Sequence, residues 1–94
     1  MTRKVRFTPP ARAQLLATVA YIHADRPLAA RGFRTRVYDA LAVLIDFPDS
    51  GRVIPEFPQL GFREVLVVSH RLFYRVKDDT LWVVRVWHVA RTPC

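Results

Sequence analysis

The chain has 94 residues and a formal charge of +7, with a sequence pI of about 10.8. That length makes one small domain, burying roughly 60–65% of its unfolded surface, and it has no apolar stretch near the ~20 residues of a membrane span. Lys4 and Lys77 are the only lysines, so arginine carries the charge, and arginine is the better bidentate donor to phosphate and carboxylate.

Arg3 to Phe7 reads as a short strand with Val5 and Phe7 on one side. Thr8-Pro9-Pro10 then opens a helix: threonine can cap, and proline is tolerated in a first turn where its missing N–H costs nothing. Ala11, Leu15, Val19 and Ile22 form one apolar stripe at helical spacing. The helix is expected to stop near Asp25-Arg26, because Pro27 disfavours helical geometry before it. Pro27 also suits the first turn of a second helix, capped by Asp25 or Arg26. Its stripe is Phe33, Val37, Leu41 and Leu44, joined by Ala30, Ala40 and Ile45. So short a connection predicts an antiparallel helix hairpin.

Phe47-Pro48-Asp49-Ser50-Gly51 ends the second helix, and a proline-rich loop follows with a short edge strand at Val53-Ile54. Alternation of period two then predicts three strands, at about Phe62–Val68, Arg71–Lys77 and Leu81–His88. Polar breaks at Ser69-His70 and Lys77-Asp78-Asp79-Thr80 are the expected turns. The fold class is therefore α+β: an N-terminal strand, then an antiparallel helix hairpin packed on one face of a small antiparallel sheet. One domain spans 1–94.

Strand parity divides the sheet into two faces. Leu72, Tyr74 and Val76 point one way, and Arg71, Phe73, Arg75 and Lys77 the other. In the last strand Trp82, Val84, Val86 and His88 share a face, opposite Leu81, Val83, Arg85 and Trp87. With the apolar sets on the helices, Arg71, Phe73 and Arg75 stand beside Arg85 and Trp87 on the outer face. Guanidinium groups for phosphate interleaved with rings for stacking suit nucleic acid. A solvated basic face, or one that docks an acidic peptide, fits the same pattern.

Glu56, Glu64, His70 and His88 are the candidate acid–base groups. His88, beside Trp87, could be a general acid or base near neutral pH, or a structural histidine closing the sheet. His70 is expected in a solvated turn, and Glu64 is expected to pair across strands. No phosphate-binding glycine loop, nucleophile elbow or metal-ligand cluster is present. The lone cysteine, Cys94, cannot form an internal disulfide or a cysteine-based metal site. Together with the charged N-terminus, which is no signal peptide, it fits a cytoplasmic location.

Several segments in order carry a resemblance. They are Phe7-Thr8-Pro9 with Ala11 and Leu15; Tyr21-Ile22; Ala29-Ala30 and Phe33; Leu44 with Pro48; Gly51-Arg52; and Pro55-Glu56-Phe57. Arg63-Glu64-Val65, Arg71-Leu72, Tyr74-Arg75-Val76 and Val86-Trp87-His88-Val89-Ala90-Arg91 follow. In this order and spacing the chain resembles the ParE branch of the RelE/ParE toxin superfamily of bacterial toxin–antitoxin systems. The resemblance implies a growth-inhibiting, plasmid- or chromosome-stabilising toxin held in a hetero-oligomer by a cognate antitoxin, with no cofactor, metal or membrane partner. ParE-like toxins poison DNA gyrase, whereas RelE-like relatives cut messenger RNA in the ribosome with basic residues of the outer sheet and a C-terminal Tyr or His. For a ribonuclease the implied set here is Glu56, Arg71, Arg85 and His88. For contact with a target or nucleic acid it is Arg63, Arg71, Phe73, Arg75, Arg85, Trp87 and Arg91. The lysine pair typical of RelE is absent, since the Gly51–Gln59 loop carries only Arg52, and gyrase is the favoured target. Ribosome-dependent cleavage and a member that binds antitoxin without toxicity are the alternatives.

Overall fold

The computed structural model describes residues 4–56 and 58–91. Strand β1 (Lys4–Phe7) leads into helix α1 (Pro9–Asp25), and helix α2 (Pro27–Asp46) follows after the single residue Arg26. Thr8 caps α1 as its chemistry dictates, its hydroxyl accepting from the Ala11 N–H at 3.3 Å. Arg26 stands at the start of α2 with no side-chain cap, and its N–H instead donates to the Ile22 carbonyl at 2.7 Å, closing α1. Strands β2 (Arg52–Val53), β3 (Arg63–Val67), β4 (His70–Lys77) and β5 (Thr80–His88) complete the domain, with short 3-10 turns at Pro48–Ser50, Pro58–Leu60 and Val89–Arg91. Arg3, Phe57 and Cys94 lie outside the described residues.

The five strands are ordered β1-β5-β4-β3-β2. The four later strands are antiparallel as expected, and β1 adds at the β5 edge in parallel, so the sheet is mixed. Only the described part of the predicted Arg3–Phe7 strand can be compared, and it agrees. Both helices pack on one face. Ala11 and Leu15 from α1, and Phe33, Val37, Leu41 and Leu44 from α2, are buried against Leu72, Tyr74, Leu81, Val83 and Val86, with Val19 and Ile22 packed at the margin. Each large aliphatic side chain so buried contributes roughly 1.5–3 kcal/mol.

The sheet departs from simple alternation at one point. Phe73 lies opposite Arg85 and Tyr74 opposite Val83, which leaves Val84 as an extra residue in β5. One inserted residue reverses the facing of everything before it. Leu81 and Val83 therefore turn onto the helices, each 0% exposed, and Trp82 turns outward opposite Arg75. This corrects the expected facing of Trp82 and Val84, while Val86, Arg85 and Trp87 keep theirs. The backbone freed by the bulge is satisfied from α1 and its cap. The Thr8 hydroxyl donates to the Val84 carbonyl at 3.2 Å, and the Val86 N–H donates to Gln14 Oε1 at 2.8 Å.

Two further boundaries differ. The β3–β4 turn is Val68-Ser69, so His70 begins β4 and is half-buried instead of solvated. Val68 holds φ +55, a left-handed conformation that a β-branched side chain resists. The edge strand is Arg52–Val53, one residue earlier than expected, and Ile54 is buried. Gly51 faces the buried Tyr74 closely. The Tyr74 hydroxyl accepts from the Gly51 N–H at 3.0 Å and donates to the Pro48 carbonyl at 2.7 Å, tying the end of α2 to β4.

Candidate functional site

The sheet face turned away from the helices divides into a neutralised half and a cationic half. In the first, β3 and β4 carry Glu64, Leu66, Arg71 and Phe73 on one side, because Glu64 lies opposite Phe73 and Leu66 opposite Arg71. Arg71 is 7% exposed and Glu64 4%. The Arg71 guanidinium donates from Nη1 and Nη2 to the two carboxylate oxygens of Glu56, at 2.8 and 3.0 Å, and from Nε to Glu64 Oε2. Glu64 Oε1 also accepts from Arg52, at 2.8 Å from Nε and closely from Nη2. Charge-assisted bonds of this kind are the strong ones, and a planar guanidinium is matched to two oxygens at once. Hydrogen bonding to Arg71 drives the Glu56 carboxyl down to about 2, and Glu56 in turn holds the Arg71 guanidinium even more firmly protonated. The network ties Glu56 to the sheet, where Arg71 also stands 4.8 Å from the centroid of the Phe73 ring.

Beside the network lies an apolar depression of about 260 Å³, lined by Ile54, Leu60, Phe62, Phe73, Val84, Arg85 and Trp87. Phe73 and Trp87 meet edge to face with centroids 5.3 Å apart, a favoured aromatic geometry. Arg85 reaches back with Nη1 to the Val84 carbonyl at 2.7 Å, bracing the bulge. Arg75 is exposed, its guanidinium 5.3 Å from the Phe62 ring.

The structure therefore brings together Arg71, Phe73, Arg75, Arg85 and Trp87 on one face, as parity implied, but it takes Arg71 and Phe73 out of solvent. Glu56 joins them from the loop. Arg63 is not among them. It pairs with Tyr74 across the ladder on the helix side, and its Nη1 donates to the Gly51 carbonyl at 2.8 Å with Asp49 at 3.8 Å. His88 is also elsewhere. It lies opposite His70 on the helix-facing side, the two rings 5.1 Å apart and nearly perpendicular, and its Nδ1 accepts from the Ala90 N–H at 3.1 Å. His70 packs its ring 5.1 Å from Phe33, and its buried Nδ1 has no partner among the described residues. Burial, and then the nearby His88, push the His70 pKa down. Arg91 ends the Val89–Arg91 turn.

Sequence reasoning did not foresee Arg52 as a partner of Glu64, nor the outward turn of Trp82. The signal for the second was the doublet Val83-Val84, which leaves both parities of the strand apolar.

A second surface lies on the helices. A groove of about 540 Å³ runs between α1 and α2, bordered by Val19, His23, Leu28, Arg31, Arg34, Thr35, Tyr38 and Asp39. Leu28 is 80% exposed and Tyr38 50%, apolar surface of the kind that marks a partner site. No group of three or more metal-ligating side chains occurs among the described residues, and no helix of theirs is long and apolar enough to cross a membrane.

The molecule is thus a basic α+β domain with an open helix groove and an ion-paired sheet face. The family of ParE toxins of type II toxin–antitoxin systems, parDE, matches residues 5–93. Toxin RelE2 of Caulobacter vibrioides is 34% identical over 89 residues, covering 94% of this chain and 97% of its own length. Among solved structures, the chromosomal ParDE toxin–antitoxin system from P. aeruginosa aligns with TM-score 0.74 at 17% identity, covering 93% of this chain and 96% of that one. The toxin–antitoxin complex RelBE2 from Mycobacterium tuberculosis aligns with TM-score 0.62 at 26% identity, covering 94% and 99%. The chain belongs to the ParE toxin family and is the toxin component of a type II toxin–antitoxin system.

Proposed function

We propose that this toxin arrests growth by engaging DNA gyrase through its surface, without acid–base catalysis of its own, and that a cognate antitoxin neutralises it in the cytoplasm. The observation that carries this reading is the separation of the four residues a ribonuclease would need. Glu56 and Arg71 are bonded to each other, and Arg85 braces a bulge on the same face. His88 lies on the other face of the sheet, beside His70. Proton transfer needs donor and acceptor within about 2.6–3.2 Å of the reacting atoms, and the register that faces His88 away from the other three weighs against their meeting at one substrate phosphate. A carboxylate held near 2 is also a poor base at neutral pH. The matching family is described as ParE toxins, and it is the resemblance to ParE that suggests gyrase as the target.

The antitoxin reading draws on the solved relatives, which are toxin–antitoxin systems. An amphipathic segment with carboxylates for Arg31 and Arg34 and apolar anchors on Leu28 and Tyr38 fits the α1–α2 groove. Induced expression of the wild type and of His88→Ala, each followed by growth and by messenger RNA integrity, tests the activity. The variant is expected to keep most of its toxicity with transcripts intact. A ribonuclease using His88 would lose about 10²–10⁴-fold in rate, so loss of toxicity together with rescued transcripts would overturn the reading.

A further inference from the structure

The bulge at Val84 builds a second row on the outer face. Arg6 of β1 pairs with Trp82 of β5, and Trp82 lies opposite Arg75 of β4. Paired residues on adjacent strands share a face, so Trp82 stands between two arginines in the register, with strand spacing placing the two arginine backbones about 10 Å apart. The Arg75 guanidinium rests 5.3 Å from the Phe62 ring and would swing to a phosphate beside the indole. Arg6 and Arg75 are exposed and Trp82 partly so. Neither arginine has a carboxylate partner among the described residues, in contrast to Arg52 and Arg71 in the neighbouring row. Lys4 and Lys77 flank the row at Thr80. Asp78 and Asp79 occupy the hairpin tip beyond it and set an anionic limit there.

We propose that the Arg6–Trp82–Arg75 row binds single-stranded DNA, with phosphates on the two guanidinium groups and a base stacked on the Trp82 indole. The proposal rests on the gyrase reading, in which the toxin meets DNA and enzyme together, and it adds a direct contact to the DNA. Charge selects a polyanion, and the ring between the charges selects one with flat, unstacked bases. A purely acidic peptide would satisfy the arginines but brings no flat ring to stack on the indole.

The test uses the purified full-length toxin and a labelled oligothymidylate, titrated at several salt concentrations without gyrase. Trp82 is followed by its own emission in a Trp87→Phe background, since the chain has only these two tryptophans. Quenching of Trp82 on addition of DNA is expected. The Arg6→Ala/Arg75→Ala protein should show a log–log salt slope shallower by about 1.4, at ~0.7 for each single-strand phosphate contact. Arg12→Ala/Arg36→Ala, which removes the same charge from exposed helix positions, should leave the slope unchanged. Trp82→Leu should weaken binding by roughly five- to a hundredfold, and Trp82→Phe, which keeps a ring, should retain most of the affinity. Equal loss in the two double-arginine variants, unquenched Trp82, or binding confined to an oligouridylate or to polyglutamate overturns the proposal. Because gyrase is absent from the assay, such a result would leave the gyrase reading standing, and a gyrase-inactive toxin could still bind DNA.

Discussion

Arg71→Ala separates a structural arginine from a functional one. In the folded protein Arg71 gives two bonds to Glu56 and one to Glu64, itself only 4% exposed. Truncation releases Glu56 to water and leaves Glu64 with Arg52 alone, a partner whose own side chain is 68% exposed. Breaking a buried pair by removing one member costs about 3–5 kcal/mol. Arg52 remains to screen Glu64, so a loss of about 2–4 kcal/mol is expected here, a large share of the stability of a small domain. Arg71→Lys keeps the charge but loses the planar fork, so it should fall between the two. The acid limb should change as well. Glu56 has its folded pKa lowered from 4.5 to about 2, so its stabilising contribution is present above 4.5 and is lost as pH falls through 2. In Arg71→Ala that carboxyl returns toward its ordinary value and this part of the acid dependence disappears. Urea unfolding at neutral pH and across the acid range measures both effects. A variant within about 1 kcal/mol of the wild type, with an unchanged acid limb, would refute the network as a stabilising device.

Gly51→Ala would place a Cβ 2.1 Å from the Tyr74 hydroxyl and 2.7 Å from two of its ring carbons. The phenol must give up its bonds to Gly51 and Pro48, so a loss of roughly 2–4 kcal/mol is expected from overpacking and the bonds together, read by thermal or urea melts. For His70 the folded pKa lies below 6.5, so stability is present above 6.5 and is lost as pH falls below it. His70→Phe should remove that acid sensitivity, and an identical pH profile for variant and wild type would count against a buried ring whose Nδ1 has no hydrogen-bond partner among the described residues.

The helix hairpin was readable because its evidence is local. Thr8, the two prolines after it, Pro27 and two apolar stripes each act within a turn or two, and Leu41, expected in the core, is 2% exposed. The outer face was legible only in part. Alternation correctly grouped Arg71 with Phe73, Arg85 and Trp87. It could not show that Arg71 is consumed by Glu56, which comes from an irregular loop 15 residues upstream with no periodicity to place it. The bulge escaped notice because Val83 and Val84 are interchangeable to a pattern of apolar and polar residues. What fixes it is tertiary: the hydroxyl of Thr8, the α1 cap, and the side-chain amide oxygen of Gln14 on α1 bond the two backbone groups that the bulge leaves open. The turn at Val68-Ser69 misled for a related reason, since an exposed valine in a left-handed conformation runs against local preference.

The most direct measurement combines purified toxin, purified gyrase and plasmid DNA in the absence of ribosomes. Supercoiling should be inhibited, and cleaved DNA should accumulate on trapping of the enzyme–DNA complex, with His88→Ala as effective as the wild type. Gyrase that supercoils normally at saturating toxin, while the same preparation cuts messenger RNA on ribosomes and His88→Ala does not, would contradict the account.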